Sequence, residues 1–151
     1  MSWQRNGNEI VDNKGTTICN LQTDIDPFFA DMIKKGDYAL ELMGRFGVDR
    51  YDEKKMVSKA LFNEICELLE EDRNYDFKWS INKNGDLQTA DQTILCTFPI
   101  EGTQDARLIK YLPEIFATFQ KLITNYKSSK SIKQKPIYET FCRIQDKISD
   151  T

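Results

Sequence analysis

Three residues in "YDFKWSIN" have the types and spacing for chemistry: Asp76, Phe77 and Lys78. Tyr75, Phe77, Trp79 and Ile81 alternate there with Asp76, Lys78 and Ser80, the period of a strand with one buried face. Asp76 and Lys78 would then share the open face. Metal-dependent nucleases set an acid and a lysine on a strand in this way, to hold Mg²⁺ and position a water. Such sites also need a second strand acid just upstream, and here a helix carrying Glu64 and Glu67 precedes. The commoner use of the pattern is a solvated strand face with a cross-strand partner. The chain contains no histidine. That removes Ser-His-Asp and Cys-His nucleophiles, histidine bases and histidine metal ligands. The four cysteines, Cys19, Cys66, Cys96 and Cys142, form no C-x-x-C pair and read as reduced core thiols. No catalytic residue, metal ligand or cofactor is implied.

Two charge clusters point to binding. Glu64, Glu67, Glu70, Glu71 and Asp72 gather at the end of a helical segment. Negative charge at a helix C-terminus opposes the macrodipole, so these residues do not serve helix stability. They are the candidate partner-binding surface. In "KSSKSIKQKP", Lys127, Lys130, Lys133 and Lys135 offer an alternative, contact with nucleic-acid phosphates. They lack arginine or interleaved aromatics, and the net charge of −3 does not favour nucleic acid as a whole-molecule partner.

The elements that must position these residues follow from local pattern. Asn13-Lys14-Gly15 turns a hairpin of about 8–12 and 16–21. Asp26-Pro27 starts a broken helix over 27–46, interrupted at Gly36-Asp37. A second helix runs from Glu53 to about Asp72, capped by Asp52. The strand through Trp79 turns at Lys83-Asn84-Gly85-Asp86 and returns over about Gln92–Phe98. Thr103 caps a long helix that Pro113 kinks or restarts. Pro136 opens a last helix with the narrow stripe Ile137, Phe141, Ile144 and Ile148, which could dock on its own domain or pair with a second copy through 137–149. The expected fold is α+β, two short antiparallel hairpins packed with several amphipathic helices. We expect one domain over 1–127, a Lys/Ser linker over 128–136 and a C-terminal helix over 137–151. No internal repeat is visible.

With 151 residues, 40% of them hydrophobic and 30% charged, the chain reads as ordinary globular material. The opening Met1-Ser2-Trp3-Gln4-Arg5 has no apolar signal region and no run is long enough to span a bilayer, so the expected location is cytoplasmic, with no membrane partner.

Trp3, Gly7, Ile10, Val11, Asp12, Gly15 and Ile18, followed by Ala30, Ile33, Leu40 and Leu42, resemble the opening of small bacteriophage and prophage proteins. In those, a short hairpin leads into a helix of the form A-x-x-I-x-x-A-P-E-L-L. The likeness spans about the first 45 residues. It departs at Gly36-Asp37-Tyr38-Ala39, where the family has Ala-Pro, and at Cys19, where it has Ala. The matching residues are turn and core residues, so the resemblance implies a scaffold and carries no active site. Together with the missing histidines and the acidic cluster it gives the expectation of a non-enzymatic phage-like protein that binds a host or phage protein, in its concrete form an inhibitor of a host defence complex. The alternatives are a nucleic-acid-binding accessory protein and a Mg²⁺-dependent nuclease.

Overall fold

A computed structural model describes residues 3–49, 59–70, 72–127 and 134–149. Six strands, β1 (Gln4–Asn6), β2 (Glu9–Val11), β3 (Thr17–Leu21), β4 (Trp79–Ile81), β5 (Asp86–Thr89) and β6 (Ile94–Thr97), form one antiparallel sheet in the order β1-β2-β3-β6-β5-β4. The α+β expectation is met, and the two hairpins join through β3 and β6. Leu21, Cys96, Leu87 and Ile81 form one cross-strand row on the inner face, with Ile10 opposite Cys19 beside it. The opposite face carries the polar row Glu9, Asn20, Thr97 and Asp86. The sheet therefore buries one side, which is why a two-layer fold suffices.

Turn chemistry sets the hairpins. The Asp12 carboxylate accepts from the backbone N–H of Lys14 and Thr16, each at 2.9 Å, and Gly15 takes φ +82°. Asn82 plays the same part for Asn84 and Asp86, with Gly85 at φ +83°. In a third turn of this form the Thr89 hydroxyl accepts from the Thr93 N–H at 3.2 Å, and Gln92 stands at φ +68°. A side-chain oxygen at the first position and a positive φ at the fourth close each turn.

Two strands escaped the sequence reading. β1 (Gln4-Arg5-Asn6) is wholly polar and β5 carries one apolar residue, Leu87, so neither shows an alternation to read. β5, not β6, is thus the direct partner of β4. The strand read from Tyr75 begins only at Trp79. The Asn74 side chain accepts from the Asp76 N–H at 2.8 Å and Phe77 N–H bonds back to the Tyr75 carbonyl at 2.9 Å, so those amides are used locally before the ladder starts.

Among the described residues six helices fall in two groups: α1 (Pro27–Lys34), α2 (Gly36–Asp49) and α3 (Lys59–Leu68), then α4 (Gln104–Lys110), α5 (Leu112–Lys127) and α6 (Gln134–Ser149). Two expected caps are present, and the third, Asp52, lies outside the described residues. Asp26 accepts from Phe28 N–H at 2.9 Å and Thr103 from Ala106 N–H at 3.1 Å. The expected breaks fall at Lys35 and Tyr111. α3 ends at Leu68, short of Asp72, and its expected start at 52–58 lies outside the described residues.

The grouping reveals an internal duplication, correcting the sequence reading. Each half is three strands and then three helices. Cys19 and Cys96 correspond at an offset of 77 (96 minus 19), and Cys66 and Cys142 at 76 (142 minus 66). Asn20 of β3 pairs directly with Thr97 of β6, its own counterpart, which puts a pseudo-twofold axis between them. The β-bulges fall at corresponding residues, Ile18 and Leu95, and so do the first buried tryptophans of each half, Trp3 and Trp79. In α3 the buried Leu61, Ile65 and Leu68 match Ile137, Phe141 and Ile144 of α6. The repeat is hidden in sequence because these positions keep burial while changing residue type.

The last helix is docked. Phe141 lies 4.8 Å from the Phe119 ring and 5.5 Å from that of Phe46, and Ile137, Ile144 and Ile148 are buried with it. The Arg107 guanidinium donates to the Ile148 carbonyl at 2.6 Å, satisfying an end of α6. The apolar stripe is spent inside its own chain.

Candidate functional site

Trp79 opens β4, which among the described residues pairs only with β5 and so forms an edge of the sheet. Its indole is 4% exposed. The Phe29 ring meets it edge-on at 5.6 Å and Phe77 lies 5.9 Å away. The Trp79 Nε1–H is buried without an acceptor among the described residues. A buried donor left in that condition costs about 1–3 kcal/mol.

A cleft of about 250 Å³ opens beside this indole. Phe77, Lys78 and Trp79 form one wall, Lys110, Tyr111 and Pro113 at the α4–α5 junction form another, and Glu114 and Arg143 close it. The Glu114 carboxylate pairs with the Arg143 guanidinium. The Lys110 ammonium sits 5.3 Å from the Tyr111 ring centroid. Lys78 is exposed and has no ion-pair partner among the described residues. Three cations thus face one carboxylate. On the other side of the same segment, a second cleft of about 320 Å³ is bordered by Phe29, Phe77, Lys78, Trp79 and the 89–91 turn. In that turn, hydrogen bonds from Thr89 and Thr93 hold the Asp91 carboxyl below its ordinary range.

The residues singled out from sequence are distributed differently. Asp76 borders a separate cavity of about 700 Å³ with Asn74, Gln120 and Lys121, while Lys78 borders the two clefts at Trp79. The turn at Tyr75–Phe77 removes the shared strand face on which the nuclease pattern depends. Among the described residues no group of three or more Cys, Asp or Glu could hold a metal ion. Glu64 pairs with Arg45 at 2.5 Å and accepts from the Tyr38 hydroxyl at 3.2 Å. Burial, and then the Glu64 charge, push the Tyr38 phenol up to about 12. Glu70 pairs with Arg73 at 3.4 Å. Glu67 and Asp72 are exposed, and Glu71 lies outside the described residues. Lys127 ends α5 and Lys135 stands in the first turn of α6, while Lys130 and Lys133 lie outside the described residues. No helix among the described residues is long and apolar enough to cross a membrane.

Sequence reasoning named Lys78 and Trp79 but missed Lys110, Tyr111 and Arg143, which arrive from helices distant in the chain. The signal that could have found them is the repeated buried tryptophan. Each sits by the helix junction of its own half, and both are buried. Trp3 donates its backbone N–H to Asp37 at 2.8 Å, and its ring packs so closely on Gly36 that an added Cβ there would lie 2.7 Å from it. Compared with known proteins, the chain matches no family model, no curated protein and no solved structure.

Proposed function

We propose that this protein acts without catalysis, by binding another protein in the cytoplasm, and that its concrete role is that of a phage-like inhibitor of a host defence complex. The observation that carries the reading is the way the two halves diverge. Their buried positions correspond, while an exposed position differs in charge: Glu67 on α3 stands where α6 has Arg143. A scaffold that keeps its core while single exposed charges vary can present distinct faces to a partner. The free edge of β4 beside exposed cations supplies one such face, and Glu67 with Asp72 another.

The test is affinity capture of the tagged protein from bacterial lysate, with and without nuclease, quantified against Arg143→Glu and Glu67→Lys variants. A stoichiometric protein partner that survives nuclease and is lost with one of these variants is the expected result. Recovery that depends on nucleic acid would replace the reading with the lysine-run alternative. Mg²⁺-dependent DNA or RNA cleavage abolished by Asp76→Ala would replace it with the nuclease.

A further inference from the structure

We propose that the cleft between the free edge of β4, the α4–α5 junction and α6 receives an acidic side chain from an extended segment of the partner protein. The proposal rests on the protein-binding reading and names the chemistry of the segment. Four observations bear on it. The Trp79 Nε1–H is buried and unpartnered among the described residues, in a ring that lines the cleft, so its signal reports on what enters there. Lys78, Lys110 and Arg143 surround the opening, and the only carboxylate there among the described residues, Glu114, is already paired with Arg143. The surplus is therefore positive in a chain whose net charge is −3. The volume of about 250 Å³ suits a side chain better than a cofactor-sized ligand, which needs roughly 300–1,000 Å³. Finally, the unpaired edge of β4 presents backbone donors and acceptors beside the cleft, the requirement for adding an extended strand.

The second cleft completes the pattern. It shares Phe77, Lys78 and Trp79 with the first but is faced by Phe29. An extended segment added along β4 from Trp79 would set its acidic residue by Lys110 and Arg143 and an apolar neighbour by Phe29, since successive strand side chains diverge.

Nitrogen-15 NMR on the full chain reads the site directly through its indole N–H signals, Trp3→Phe assigning that of Trp79. The probe is a blocked peptide of alternating valine and glutamate, compared with its valine–glutamine counterpart and with sodium acetate. The acidic peptide should move the Trp79 indole signal saturably. The exposed and half-buried pair Lys78→Gln and Lys110→Gln together should weaken binding about tenfold or more. No saturable shift at millimolar peptide, an equal shift with the glutamine peptide, or unchanged affinity in the double variant would overturn the proposal. So would acetate acting as strongly as the peptide, since that describes an anion site without a peptide segment. Captured partner retained in full by the double variant would remove the cleft while leaving the protein-binding reading in place. Peptide binding with no captured protein would sustain the cleft and overturn the broader reading.

Discussion

Truncating Phe141 to alanine tests how the second half is held together. Phe141 is 2% exposed, on the third turn of α6, and its ring touches Phe119 of α5 and Phe46 of α2. Removing a buried phenylalanine ring costs about 3–5 kcal/mol, and the site collapses poorly when its lining belongs to different helices. Each aromatic pair adds about 0.5–1.5 kcal/mol beyond burial, which places this site in the upper half of the range. Ile144 and Ile148 and the Arg107 bond to the Ile148 carbonyl keep α6 from sliding to fill the gap. Against a total stability of about 5–15 kcal/mol the loss is large. Urea unfolding followed by circular dichroism should show it as a lowered midpoint, and hydrogen exchange should show protection lost first over 134–149. Phe141→Leu, which keeps most of the volume, serves as the graded variant at roughly 1–2 kcal/mol and retains the fold. A change below about 1 kcal/mol for Phe141→Ala, with exchange over α6 unaltered, would refute the docking of α6 as a core element.

Three further outcomes follow from the site geometry. Tyr38, raised from 10 to about 12, binds its proton more tightly in the folded chain, so stability should fall as pH rises across that window; tyrosinate absorbance should show Glu64→Gln titrating earlier than wild type, and an unchanged titration would discount the Glu64 contact. Burial, then Asp12 and Asp37, raise the Asp105 carboxyl, so its contribution is present in acid and lost as pH rises through its folded-state value; Asp105→Asn should match or exceed the wild-type urea midpoint at neutral pH, and a lower midpoint would count against this. Contact with Cys19, then burial, hold the Cys96 thiol protonated, so a thiol reagent should spare Cys19 and Cys96 in the folded protein and modify both in denaturant; mass mapping that finds either labelled in the native state would contradict the packing.

The sequence by itself determined the local pieces. Asp26-Pro27, Thr103, Gly15 and Gly85 act where their own chemistry dictates, because caps and positive-φ turns depend on neighbours a few residues away. The burial of Ile137, Phe141, Ile144 and Ile148 was equally legible as a helical stripe, though not what it packs on. Tertiary structure decided the rest. β1 and β5 lack an apolar alternation to announce themselves and exist because neighbouring strands complete their hydrogen bonds. The duplication emerged only when Asn20 met Thr97 across the centre of the sheet, since core positions tolerate exchange of one apolar residue for another. The acidic cluster looked continuous in the chain, yet Arg45 neutralises part of it from α2, and Arg73, next to the cluster in sequence, pairs with Glu70. The cleft at Trp79 was least legible of all. Its charges come from β4's approach, the α4–α5 junction and α6, and a site assembled by packing leaves no spacing to read along the chain.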